Sequence, residues 1–356
     1  MTAKATARFG GATWARAFMP DRPGAFRLFL ALLVFAHHCS RLGLGKYAVY
    51  VFFVLSGFWV DRMWMARYRH ARRPYLTYLL SRAWRLMPTF ALVGMVVVAL
   101  SLLLGVEWRT IAQGRLVHVA FSSLFIFGYS WLDYLPVAPA WSLDIEVQYY
   151  LLAPLLAVLV RRNRLVVAAG LTVVSLAGAL TMTRPVLPSY LAFFGAGLLA
   201  SAADWRPNRA LATVSAGLVV LGLIALALSP WAGALLGGAN PTPLFAWNPL
   251  LNIVAAVATI PFAIYTTAQP SGRTDRMQAD LSYIIYLAHW PVFVWLSAVG
   301  GSIANRLPYL LAGWVLVLSG SYIVWRWFDR PVNAARARWV ARRTGEAGAT
   351  QEPAAL

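Results

Sequence analysis

The stretch WSLDIEVQYYLLAPLLAVLV, residues 141–160, carries Asp144 and Glu146 into a run that is otherwise apolar and long enough to cross a bilayer. A carboxylate near a bilayer core costs on the order of 3 kcal/mol on insertion scales, so an intramembrane Glu marks a candidate functional site by default. The same puzzle recurs at Arg27, His37, His38 and His289, each on or beside a hydrophobic run. Together they read as a polar site inside a membrane protein.

Composition supports that frame. Hydrophobic residues make up 60% of the 356 and charged residues 12%, about half the charged fraction of a soluble chain. Long uninterrupted apolar runs exclude a transmembrane barrel, whose strands alternate over short segments. The fold class is therefore all-α, a polytopic transmembrane helical bundle. A net charge of +19 would suggest nucleic acid in a soluble protein, but here the Arg residues cluster between hydrophobic runs and read as topology, with no nucleic-acid partner. The single cysteine, Cys39, excludes internal disulfides and Cys-based metal cages, and no metal site is expected. The first two dozen residues lack the apolar core of a cleavable signal peptide.

Basic groups fall at 67–85, 161–164, 206–209, 273–276 and 326–343. If all face the cytoplasm, an even number of spans separates neighbouring clusters. The apolar runs 26–41, 47–65, 88–106, 141–160, 165–182, 190–203, 211–228, 249–267, 281–299 and 309–327 meet that condition with about ten spans and both termini cytoplasmic. Residues 114–131 are apolar but would upset the parity, so they read as interfacial or re-entrant, with Trp131 and Tyr134 at headgroup level. The organisation expected is a cytoplasmic segment 1–23, a transmembrane domain 24–330 and a cytoplasmic tail 331–356, disordered beyond Trp339.

On this topology Arg27 starts the first span and His38 lies about 16 Å further outward, two ends of one polar channel. Glu146, near the outer start of its own span, is expected to approach His38 at similar depth. Imidazole beside carboxylate is what general-base activation of a hydroxyl requires, against the plainer role of a satisfied interior His. Only one of the adjacent His37 and His38 can face the site, because they project about 100° apart. Arg82 and Arg85 share a helical face and would clamp phosphates bidentately, or would simply anchor the cytoplasmic boundary. Ser282, Tyr286 and His289 form one stripe beside Pro291, which lines either a cavity or a helix interface. Ser142 and Asp144 would line the site beside Glu146. The Ser56-Gly57 pair within an aromatic run suits close helix packing.

Arg27 with His38, Phe52-Phe53-x-x-Ser56-Gly57, Arg82-x-x-Arg85, Trp141-Ser142-Leu143-x-x-Glu146-x-x-x-Tyr150 and Ser282-Tyr283-x-x-Tyr286-Leu287-x-His289-x-Pro291 occur in an order that resembles acyltransferase family 3, the integral membrane O-acyltransferases of envelope glycans. The resemblance implies that His38 is the catalytic residue and that acyl-coenzyme A, most simply acetyl-CoA, is the cytoplasmic donor with no bound cofactor. It implies a hydroxyl of a polysaccharide or glycolipid as acceptor at the outer side of the bacterial inner membrane. Arg27, Arg82 and Arg85 would then hold donor phosphates, and the protein would either finish the transfer alone or work with a partner, a polysaccharide synthase or a separate periplasmic transferase. Asp329 before Pro331 stands where the family often has Glu before Pro. The rival readings are a transporter or flippase, whose intramembrane charges mark a substrate path, and a non-catalytic subunit of a polysaccharide synthase.

Overall fold

Without water to satisfy backbone amides, an apolar run in lipid has to close its hydrogen bonds on itself, and each of the ten runs coincides with a helix. The structure is a computed structural model that describes residues 20–104, 122–132, 135–238, 240–299 and 303–345, with side chains at all of these except 293, 294, 296–299 and 303–306. The helices are α1 Pro23–Cys39, α2 Gly45–Ala66, α3 Pro74–Leu104, α4 Trp141–Arg162, α5 Arg164–Thr181, α6 Leu191–Ala202, α7 Arg209–Ala227, α8 Asn248–Thr267, α9 Arg273–Val299 and α10 Ile303–Val324. A π turn, Trp325–Asp329, joins α10 to α11, Arg330–Thr344. No strand occurs among the described residues, only an isolated bridge between Leu42 and Leu236. Among the described residues, seven helical segments are long and apolar enough to cross a membrane, while α1 and α6 are shorter apolar helices. Length and composition thus support seven spans, fewer than the ten expected.

The helix ends sort into two groups. At one end, Asp61 pairs with Arg161, Asp204 pairs with Arg62 and Arg206, and the Arg72 amide donates to the Arg343 carbonyl at 3.2 Å. The basic clusters gather here. At the far end the α1–α2 turn meets the α7–α8 connection, where the Gly43 amide donates to the Leu235 carbonyl at 2.7 Å. Arg184, from the α5–α6 connection, donates to the Trp131 carbonyl there at 3.0 Å. The connection between α3 and α4 enters α4 at the far end. Its residues 122–132 lie against the middle of α3, with Tyr129 edge-on to Phe90 and Ser123 against Gly94. The remainder of the expected re-entrant segment, residues 114–121, and Tyr134 lie outside the described residues.

Two helices set the frame of the site. α1 starts on Pro23, which loses no bond at a helix N-terminus, and its Ala25 amide donates to Asp275 Oδ1 at 2.9 Å. At the opposite end of the same pair, His38 stacks on His289 at 5.2 Å. α1 and α9 therefore run parallel and in register along their whole contact.

α5 and α7 bury few side chains and present Leu165, Val173, Leu180, Leu218 and Leu221 outward, as helices facing lipid tails do. α2 is the opposite case, buried on most sides. It approaches α6 so closely that a Cβ on Gly57 would run into the Phe194 carbonyl, and one on Gly197 into the Val54 carbonyl. The packing role read for Gly57 is what the structure has. Gly57→Ala is expected to lower stability by about 1–3 kcal/mol, because both colliding atoms are backbone and cannot rotate away. Thermal unfolding in detergent checks this, and an unchanged melting temperature would refute the close approach.

The chain stays ordered past the point where disorder was expected. α11 carries Trp339 onto Trp84, with ring centroids 5.9 Å apart, and buries Val340 completely. Those two apolar anchors hold the helix to Thr344.

Candidate active site

α1, α2, α3, α4 and α9 enclose a cavity with about 80 Å³ of room for the centres of water-sized molecules, enough for several waters or a slender chain. Arg27, Ser56, Arg82, Arg85, Ser142, Glu146 and Tyr286 all line it, so most of the residues singled out in sequence converge on one space.

The cavity has a cationic end. Arg85, only 8% exposed, is bridged to Asp280 at 2.9 Å and to Asp329 at 3.3 Å. Asp329 is turned inward by the π turn and also accepts from Thr89 at 3.0 Å and from Asn333 at 2.8 Å. π turns recur at functional sites. Arg82, 5% exposed, has no carboxylate: its Nη2 donates to the Tyr68 hydroxyl at 3.3 Å and lies 3.3 Å from Met63 Sδ, and its guanidinium sits over the Tyr68 ring. The Nε atoms of Arg27 and Arg82 are buried with no hydrogen-bond partner. A buried donor left unmade costs about 1–3 kcal/mol, more on a charged group. Both residues line the cavity, which makes them its candidates for holding an anionic ligand.

Glu146 belongs to this end. Its Oε1 accepts from Ser56 at 2.7 Å and from Tyr150 at 2.6 Å, and it interacts electrostatically with Arg27. Ser56 is eleven residues along α2 from Gly45, which touches the His37 ring, so the Glu146 carboxylate lies about 16 Å down the axis from the histidines. The expected meeting of His38 and Glu146 at one depth is not what the chain adopts. Counting residues from the helix starts misled, because Glu146 bonds to Ser56, half-way along α2, rather than to the turn that holds His37.

The histidines form a second group at the far end. His37 and His38 are 4.9 Å apart, His38 lies edge-on to Trp290 at 5.5 Å, and His289 is fully buried with its Nε2 unpartnered. His37 Nδ1 is 2.7 Å from the Leu42 carbonyl, which ties it to the α1–α2 turn and leaves His38 as the one facing the stack. Between the two groups, Tyr286 donates to the Pro139 carbonyl at 2.9 Å, shares a 2.7 Å bond with Ser142, and lies 6.2 Å from the His289 ring. The Ser282, Tyr286, His289 stripe therefore faces the interior and connects the cationic end to the histidines.

Residues 23–326 match a family model described as an acyltransferase domain, nearly the whole chain. The chain belongs to acyltransferase family 3. With its apolar helical build this makes it a membrane acyltransferase. No curated protein and no solved structure matches it.

One sequence-predicted site residue of this acyltransferase does other work. Asp144 is fully buried away from the cavity, where its oxygens accept from the Gly128 and Ser130 amides, both at 2.9 Å, and from Gln148 at 3.1 Å. It staples the α3–α4 connection, at left-handed Gly128, to the head of α4. Sequence reasoning also passed over Asp61, Tyr68 and Asp280, and noted Asp329 only for its place before Pro331; the partners of the three aspartates lie far along the chain. For Asp280 the only available signal was an acidic residue one turn before the Tyr283 to His289 stripe.

Proposed function

We propose that this acyltransferase moves an acyl group, in the simplest case acetyl, from cytoplasmic acyl-coenzyme A to a hydroxyl of a polysaccharide or glycolipid at the outer side of the bacterial inner membrane. The observation that carries the reading is the pair of cavity-lining guanidiniums, Arg27 and Arg82, with buried, unpartnered Nε atoms, in a cavity that reaches Tyr286, whose ring lies 6.2 Å from that of His289. On this reading the basic end is cytoplasmic, the helices α1 to α10 are ten spans, and the donor enters from the arginines.

The phosphates of the donor would sit on Arg27 and Arg82, with Arg85 held by its carboxylates as a fixed positive wall. From the level of Asp280 to that of His289 is about 14 Å along α9, a gap suited to a pantetheine arm. The thioester carbonyl then arrives among the histidines. His38 takes the proton of the acceptor hydroxyl as its oxygen attacks the carbonyl carbon, the C–S bond breaks, and the proton returns to the leaving thiolate to give free coenzyme A and the ester. A covalent acyl-His38 intermediate would divide the same balance into two transfers. Glu146 is a positioning residue here, holding Arg27, Ser56 and Tyr150 in place.

Mass spectrometry of envelope glycans from cells with and without the protein tests the function, and protein-dependent ester acylation is the expected result. At the donor end, Arg82→Ala is expected to weaken binding of a non-hydrolysable acyl-coenzyme A analogue roughly 10- to 100-fold, the loss of one charge-assisted bond, with partial recovery in Arg82→Lys. Unchanged donor affinity would return Arg82 to a boundary anchor.

A further inference from the structure

α11 lies beyond the matched family segment, which ends at residue 326, yet it brings a guanidinium to the Tyr68 and Ser81 hydroxyls behind the cationic end. Arg336 Nη1 donates to Ser81 Oγ at 3.0 Å, and Ser81 shares a 2.7 Å bond with the Tyr68 hydroxyl that also receives Arg82. Two guanidiniums thus converge on one pair of neutral hydroxyls, close enough to interact electrostatically. Their neighbours do not balance them. Asp329 and Asp280 are engaged with Arg85, and Glu146 with Ser56 and Tyr150, leaving four arginines, Arg27, Arg82, Arg85 and Arg336, against three carboxylates. Two like charges held together in a half-buried space repel unless an anion joins them.

A boundary anchor would not be built this way. Arg336 is fixed from three directions, by Asn333 at 3.2 Å, by Ser81, and by a helix whose Trp339 and Val340 are packed against the bundle. Its neighbours Arg338 and Arg342, by contrast, are exposed, as anchors at a headgroup surface are.

We infer that Arg336 and Arg82, with the hydroxyls of Tyr68 and Ser81, form a second anion subsite beside the cavity, joined to it through Arg82, which takes a phosphate monoester. Resting on the donor reading above, the occupant is the 3′-phosphate of coenzyme A, because the acyl end points toward the histidines and the nucleotide end is left at the opposite mouth. A monoester carries close to two negative charges at neutral pH, against one for each pyrophosphate oxygen pair, and so answers two guanidiniums best. Arg336 is then a specificity residue that α11 adds to the family fold.

The test is binding of coenzyme A and of dephospho-coenzyme A, which differ only in that phosphate, to the purified full chain in detergent. Wild type is expected to bind coenzyme A at least about tenfold more tightly. Arg336→Gln should bring coenzyme A down to the affinity of dephospho-coenzyme A while leaving the latter unchanged, and Arg336→Lys should restore part of the preference. Equal affinities in wild type would overturn the subsite without recourse to any variant, and so would equal losses for both ligands in Arg336→Gln. Phosphatidic acid, added in mixed micelles, carries the same monoester. If it abolishes the preference of wild type but not binding of dephospho-coenzyme A, the subsite belongs to lipid and the donor assignment falls. Failure of wild type to bind either coenzyme would sink the donor reading itself, whereas tight binding with no 3′-phosphate preference would sink only this inference.

Discussion

His38→Ala is expected to reduce acyl transfer by roughly 10²- to 10⁴-fold, the share of a rate that a positioned proton acceptor supplies, or about 3–5 kcal/mol of barrier. The structure gives the reason for singling out this histidine. His38 stacks on His289 at the end of the stripe that leaves the cavity, while His37 is tied through Nδ1 to the Leu42 carbonyl. His37→Ala should therefore loosen the α1–α2 turn and leave most of the transfer rate. Both variants should reach the membrane in normal amount, since neither ring carries a buried charge pair. The measurement is release of free coenzyme A thiol coupled to glycan ester formation. Near-wild-type transfer by His38→Ala would remove the proton-transfer role.

The largest expected effect on stability lies elsewhere. Asp61, 1% exposed, receives both arms of Arg161 at 2.7 and 2.9 Å and Ser201 Oγ at 2.5 Å. The pair ties α2, α4 and α6 together at the basic end. Arg161→Ala leaves a buried carboxylate uncompensated, and breaking such a pair from one side costs about 3–5 kcal/mol. Asp61→Asn with Arg161→Gln together should cost less than Arg161→Ala alone, because no lone charge remains. Thermal unfolding in detergent decides. A single variant within about 0.5 kcal/mol of wild type would show the pair to be solvated rather than buried.

Arg161 also shows where sequence reading stops. As part of a basic cluster it was legible as a boundary anchor, and it does lie at the basic end. Its partner Asp61 is 100 residues away, and no local spacing announces that. The same holds for Arg85, whose carboxylates come from Asp280 and, 244 residues distant, Asp329. Helices were legible because apolar runs and their punctuation are local. The stripe of Ser282, Tyr286 and His289 was legible because helical spacing alone puts it on one face. The depth of Glu146 was not, since it depends on which hydroxyl of α2 reaches it, Ser56 at 2.7 Å. Asp144 was misread for a related cause. A buried carboxylate two residues from Glu146 looked like part of one site, but helical geometry turns it about 200° away, toward backbone amides.

Those same limits explain why the far-end and basic-end groups first looked like one catalytic pair. Separated by about 16 Å, they would on the proposed function divide the work of a two-substrate site, with charge for the donor at one end and imidazoles for the transfer at the other. Sided transfer tests that division most directly. Inside-out membrane vesicles, which expose the cytoplasmic face, are given acetyl-labelled coenzyme A, and label is followed into glycan. The account predicts label in glycan from vesicles carrying the wild-type protein and none above background with His38→Ala or with no protein. Equal labelling in the His38→Ala vesicles, or no protein-dependent label from externally added donor, would contradict it.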